Sequence, residues 1–302
     1  MYREIAGNKR KTVILVAVFV LFVAAIGGLF AYLYNDTSIL IWVLVFTLIY
    51  TIFQYFMSGN LAVAMSGAKE IQKKDDPRFY NIVENLVIQE GLPMPKVYII
   101  QDSSPNAFAA GRDPQHAVVA ATTGLLTLMN DPELQAVMAH EIAHVKNYDI
   151  RLSTIVFGLV SAIGILSEIG WRIGLYGGRG SKNNNNAIGV LILVATAILA
   201  PLIATIVQLA VSRNREYLAD STSALITRHP DAMISALKKL GAYTTTTQAA
   251  KKSAESNPFG KSYRHNAALQ ALFINAPATN LFSTHPPIVK RIARLESAKA
   301  KF

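Results

Sequence analysis

Thr12 to Tyr34 is a run of 23 residues without a charge, and a second apolar run, Ile39 to Met57, follows after the short connection Asn35-Asp-Thr-Ser38. A helix needs about 20 apolar residues to cross a bilayer, so both runs are long enough. Arg3, Lys9, Arg10 and Lys11 precede the first run, as basic residues precede a secretory signal. Such a signal has an apolar part of only about 7–15 residues and a small-residue cleavage site. The pair therefore reads as an uncleaved helical hairpin in a membrane.

Composition agrees. Of the 302 residues, 52% are hydrophobic and 16% charged, against about 25% charged in an average soluble domain. The length accommodates a membrane part and one soluble domain. Two further runs follow: Ala187 to Val211, with 25 residues and no charge, and Thr154 to Ser167, with only 14 before Glu168. The shorter one is ambiguous by hydropathy alone. Glu168 and Arg172 are i,i+4 and can pair on a helix, about 21 Å along from Thr154.

Net charge is +10, yet no finger, RNP pattern or basic helix interleaved with aromatics is present, so nucleic acid is not an expected partner. With four spans, 26 of the 29 Lys and Arg fall on one side. The positive-inside rule makes that side the cytoplasm. The expectation is a multi-pass protein of the cell (inner or plasma) membrane with cytoplasmic termini and soluble segments. Its parts are a basic tail and membrane hairpin (1–57), a first soluble part (58–153), a second membrane hairpin with a polar far-side loop (154–211), and a second soluble part (212–302).

Segment 58–153 carries turn and cap signals. Asp76-Pro77 opens a helix that Gly91 closes. Lys96 to Gln101 reads as a strand, and Asn106 to Gly111 with His116 to Thr122 reads as a hairpin. Asp131-Pro132-Glu133 opens the next helix, with Asp131 as its cap and Leu134, Val137, Met138 and Ile142 on its buried face. Thr244 to Thr247 and Ser253 to Tyr263 read as loops.

That last helix contains His140-Glu-Ile-Ala-His144. Two His four residues apart share a helix face and can bind one ion together. Glu141, offset by about 100°, can reach a water on that ion and take its proton. The chain has no cysteine, so the remaining ligands must be His or carboxylate. His116, His229 and His265 lack a supporting pattern and read as surface or capping residues. Glu216 and Asp220, in Arg215-Glu-Tyr-Leu-Ala-Asp220, again share a helix face. Glu216 can ligate while Asp220 accepts a ligand His N–H. The alternative is a solvated helix in which Arg213 and Arg215 neutralise the acids. If Glu216 does join the His pair, the ambiguous third run must span along with the fourth, or the ligands end on opposite sides of the membrane.

HEIAHVKNYD, REYLAD, PNAFAAG and STHPP, in that order and with this arrangement of apolar runs, resemble the HtpX-type membrane zinc metalloproteases, relatives of the CAAX prenyl endopeptidases. The resemblance extends from Arg10 to about Arg294. It implies an α-helical membrane protein with four transmembrane helices and an α+β gluzincin-like catalytic domain, a small β-sheet lying beside the HExxH helix. One Zn2+ held by His140, His144 and Glu216 is implied, with Glu141 as base. The implied substrates are polypeptides, damaged or misassembled membrane proteins, with self-cleavage a further behaviour. Asn106, Ala107 and Phe108 resemble the family's edge strand beside the cleft, where an extended substrate can pair; an ordinary hairpin strand is the alternative. His285 resembles a late His placed to stabilise the oxyanion or contact zinc, against a Pro-locked turn, and Arg291 then orients it or anchors a helix. A zinc-stabilised scaffold or chaperone-like module without proteolytic activity is the competing function, although a purely structural site needs no Glu141. Oligomeric state and cleavage preference have no signal in the sequence.

Overall fold

The computed structural model describes residues 2–159, 213–253 and 286–299. The third apolar run beyond residue 159, the fourth run Ala187–Val211, the loop between them, the segment after Ser253 and His285 lie outside these residues. The described part is mostly helical with one small mixed sheet.

Helices α1 (Tyr2–Tyr34) and α2 (Ser38–Ser66) form a hairpin. Within them Arg10–Leu29 and Ser38–Met57 are long and apolar enough to cross a membrane. Trp42, Phe46, Ile49 and Phe53 point outward from α2, as side chains do where the surroundings are lipid rather than water. Gly27 lets the two helices approach, since a Cβ there would sit 2.9 Å from Val43 Cγ1. Small residues at such crossings allow close van der Waals packing where no hydrophobic effect operates.

The sheet has the order β1 (Lys69–Glu70), β2 (Lys96–Ile100), β4 (Ala117–Thr122), β3 (Ala107–Gly111). The β2–β4 pair is parallel and the β3–β4 hairpin antiparallel, Phe108 lying opposite Ala120. A single 3-10 turn at Pro114–His116 joins the hairpin, and Asp113 caps it. Side chains alternate across the pleat. Tyr98, Ile100, Phe108, Ala110, Val118 and Ala120 pack with α1, α2 and the helix at 149–159. Val97, Ala107, Ala109, Val119 and Ala121 pack on the opposite face with α3 (Pro77–Glu90) and α5 (Asp131–Lys146). Both faces are covered, which is why β3 and β4 as far as Ala121 are apolar rather than alternating.

Helix α3 is capped as the sequence predicts, by Asp76 accepting from Phe79 N and by Gly91 at φ +63. Short α4 (Thr123–Leu128) leads into α5. The cap of α5 is Asn130, one residue before the expected Asp131. Asn130 wins because it completes a reciprocal box with Glu133, each side chain bonding the other's backbone N–H. Glu133 also accepts from Ser235 Oγ at 2.7 Å and from Lys239 Nζ at 2.6 Å, fastening α7 (Pro230–Ser253) to the start of α5. The expected loop at Thr244–Thr247 is instead part of α7. Threonine is a modest helix former, but Thr244 Oγ1 donates back to Leu240 O at 2.9 Å, so its hydroxyl is satisfied without leaving the helix. Helices α6 (Arg213–Thr227) and α8 (Ile288–Ala298) complete the described elements.

Candidate metal centre

Helix α5 is buried almost all round, and Leu134, Val137, Met138 and Ile142 are fully enclosed as expected. Its alanines Ala136, Ala139 and Ala143 are also fully buried, as are Ala219 and Ala224 of α6. Small residues at this crossing let the helices approach closely, and Ser223 Oγ donates across it to Ala136 O at 2.6 Å. The crossing brings Glu216 over the His pair.

His140 Nε2 and His144 Nε2 are 3.2 Å apart, and the rings stand nearly perpendicular at 87°. Glu216 Oε2 is 3.6 Å from His140 Nε2, and Glu216 Oε1 is 3.7 Å from His144 Nε2. The edge of a tetrahedron around an ion with bonds of about 2.0–2.1 Å is about 3.3 Å. The three side chains offer ligand atoms within 4.8 Å of one another, close enough that they could hold one ion together.

Each imidazole has its other nitrogen against a carboxylate. His140 Nδ1 is 3.0 Å from Asp220 Oδ1, and His144 Nδ1 is 3.0 Å from Asp149 Oδ2. A carboxylate there keeps the proton on Nδ1 and leaves the Nε2 lone pair for an ion. Asp220 is in turn gripped by Arg291 of α8, with Nη2 donating to Oδ1 at 2.6 Å and Nε to Oδ2 at 2.9 Å. Arg291 is fully buried, so it anchors α8 at the centre, as the sequence allowed.

Asp149 has no assigned part in the sequence reading. It lies beyond the end of α5, and only the turn at Tyr148, whose φ of +58 is left-handed, swings it back under His144. A non-glycine residue in that region is uncommon. Arg151 stacks on the Tyr148 ring, its Cζ 5.2 Å from the centroid. The usable signal was an acid three residues past the helix end, following Asn147.

Glu141 is buried next to His140, and its carboxylate lies near the Arg291 charge. Asn106 precedes β3, at the edge of the sheet, with its N–H donating to Thr122 Oγ1 at 2.9 Å. Ala107 and Phe108 are fully buried, and the Phe108 side chain belongs to the core between sheet and membrane hairpin. Any substrate contact from this strand must therefore come from its backbone. His116 and His229 are exposed, in keeping with surface roles.

Electrostatics couple the cluster. Burial pushes the His140 pKa down, but hydrogen bonding to Asp220 and Glu216 outweighs it and raises the value to about 9. Burial likewise pushes Asp220 up, but the Arg291 charge and hydrogen bonds dominate and hold it at about 2. In the metal-free protein the His140 proton thus stabilises the fold below about pH 6.5 and is lost as pH rises through about 9. An ion must displace that proton. Metal affinity is expected to rise by about tenfold per pH unit between pH 7 and pH 9 and to level off above. Competition titrations with a chelator at each pH measure this; a flat profile across that window contradicts it.

Comparisons with known proteins show the family. Residues 73–299 match the model of peptidase family M48. The chain is 47% identical over 307 residues to a "Protease HtpX homolog" of Tropheryma whipplei (strain Twist), all of each chain being covered. It is 44% identical over 308 residues to one from Streptococcus uberis, covering 98% of this chain and 99% of that one. Among solved structures, Ste24p of S. mikatae matches with a TM-score of 0.47 and 16% identity, over 98% of this chain and 67% of that one. With its own apolar helices and clustered His and Glu, the chain belongs to peptidase family M48 and is a membrane metalloprotease.

Proposed function

We propose that the chain is a membrane-embedded zinc endopeptidase that hydrolyses peptide bonds of damaged or misassembled membrane proteins on the cytoplasmic side. The observation that carries the reading is the convergence of His140, His144 and Glu216 within 4.8 Å of one another, with Glu141 alongside. One imidazole pair and one carboxylate, with no thiolate, is a donor set suited to catalytic zinc. When bound, zinc polarises the scissile carbonyl and makes water a nucleophile near neutral pH.

The chain's own residues do the rest. Glu141 takes the proton of the attacking water and passes it to the leaving amine. Asp220 and Asp149 hold the two imidazoles in the ligating tautomer. An extended substrate pairs with the backbone at Asn106, Ala107 and Phe108, on the edge strand packed beside α5. His285 donates to the developing oxyanion. The expected result is that a chelator abolishes cleavage of casein or of the chain itself, and that added zinc restores it. Cleavage continuing at full rate in zinc-depleted protein would refute the proposal.

Four spans with both soluble parts in the cytoplasm complete the reading. Gln54 Nε2 donates to Thr154 O at 3.2 Å, and Tyr50 OH to Gly158 O at 2.8 Å. Going from 154 to 158, the partner on α2 thus moves from 54 to 50, away from the end that joins the soluble part. Residues 154–158 therefore run alongside α2 and away from its end at Ser66, which supports a third span. Gly158 permits the contact, since a Cβ there would collide with the Gln54 amide. Because the chain has no cysteine, Asn184→Cys introduces a unique thiol in the expected far-side loop. It should react with a membrane-impermeant maleimide in intact cells; reaction only after lysis would reverse the topology.

A further inference from the structure

The two limbs of the candidate centre are held differently. On the His140 side, Asp220 has a buried guanidinium bonded to both its oxygens. On the His144 side, the carboxylate of Asp149 is divided: Oδ2 faces His144 Nδ1, and Oδ1 accepts at 2.6 Å from the side-chain amide of Asn8. Asn8 belongs to α1, two residues before the first candidate membrane span begins at Arg10. We infer that Asn8 is a positioning residue for the metal centre, one that ties the geometry of His144 to the seating of the membrane hairpin.

The local chemistry explains why an amide stands there. Asn8 and Asp149 are 3% and 4% exposed, so the bond between them is shielded from water. The Asn8 Nδ2 also donates to Asn147 O at 3.2 Å, satisfying a carbonyl at the end of α5 that the helix leaves unbonded. One side chain thereby fixes both the helix end and the carboxylate beyond the left-handed Tyr148. Arg215 Nη1, a cation near that oxygen, stands 3.7 Å from it, within ion-pair range but too far for a hydrogen bond. Asn8 heads a stripe on α1, continued by Thr12, Leu15 and Phe19, that is buried against the rest of the protein. The amide meets Asp149 only when that stripe is docked.

This rests on the metal reading of His140, His144 and Glu216, and the test separates the two. Full-length protein in detergent is stripped of metal and titrated with zinc against a chromophoric chelator; Co2+ in place of zinc reports ligand geometry through its absorption bands. Removing the group that orients a ligand His typically lowers metal affinity about 10–100-fold, and Asn8 acts through such a group, Asp149. Asn8→Ala is expected to weaken zinc about tenfold. Asn8→Asp, which sets a second carboxylate against Asp149, should weaken it about 100-fold. Both variants should shift the Co2+ spectrum. Thr12→Val is the control, because Thr12 is buried one turn further along the same stripe and its Oγ1 has no hydrogen-bond partner. It should bind zinc within about twofold of the parent. Wild-type affinity and spectrum in both Asn8 variants would overturn the inference, as would an equal loss in Thr12→Val, which would mean that α1 acts only through general packing. A parent protein that binds no zinc would sink the metal reading itself.

Discussion

Glu141→Gln is expected to lower the turnover of peptide hydrolysis by about 10³-fold while zinc stays bound. A positioned general base contributes about 10²–10⁴-fold, and an amide of the same shape cannot accept a proton. The substitution leaves His140, His144 and Glu216 in place, their side chains converging through contacts with one another. It also removes a buried charge from a cluster that already holds Asp220, Glu216 and Arg291. Folding should therefore survive the change, with bound zinc measured by elemental analysis and turnover with an internally quenched peptide. Activity within tenfold of the parent would remove Glu141 from the chemistry. Loss of zinc together with activity would mean that the side chain is structural.

Arg291→Met should be the largest loss of stability that any single substitution around the centre produces, about 3–5 kcal/mol. The reason is asymmetry. Asp220 is buried, with a pKa held at about 2 largely by Arg291, so removing the guanidinium leaves an ionised, buried carboxylate with His140 as its remaining close partner. Replacing both partners is far cheaper than removing one. The double variant Asp220→Asn with Arg291→Met should recover most of the loss in thermal melts of metal-free protein. Arg294, which is exposed and stacks on Tyr217 with its Cζ 4.6 Å from the centroid, provides the comparison. Its replacement by Met should cost less than about 1 kcal/mol. Equal losses for the two arginines would show that the Asp220 pair contributes little.

Local chemistry was readable wherever it repeats at a fixed interval. The i,i+4 spacing put His140 with His144 and Glu216 with Asp220 on shared faces, and the tertiary structure sets those faces against each other. Caps at Asp76 and Gly91 and the β3–β4 hairpin were equally legible, because their residues act on neighbours in the chain. Asp149 was not, since its role depends on one left-handed residue, and nothing about Tyr148 advertises that conformation. Asn8 was beyond reach for a different reason: its partner lies 141 residues away and meets it only through docking of a whole helix. Thr244–Thr247 shows the opposite failure, where a run of weak helix formers is held helical as part of a long helix packed on α5 and α8.

Asn8 and Arg291 stand 283 positions apart, and each reaches one histidine of the pair through a carboxylate, Asn8 through Asp149 and Arg291 through Asp220. A ribosome makes them in that order. Until residue 291 has been synthesised, Asp220 lacks the guanidinium that bonds both its oxygens. The hairpin of α1 and α2, by contrast, is available to the membrane from the start. The two apolar helices are thus made long before the last residue that holds Asp220 in place.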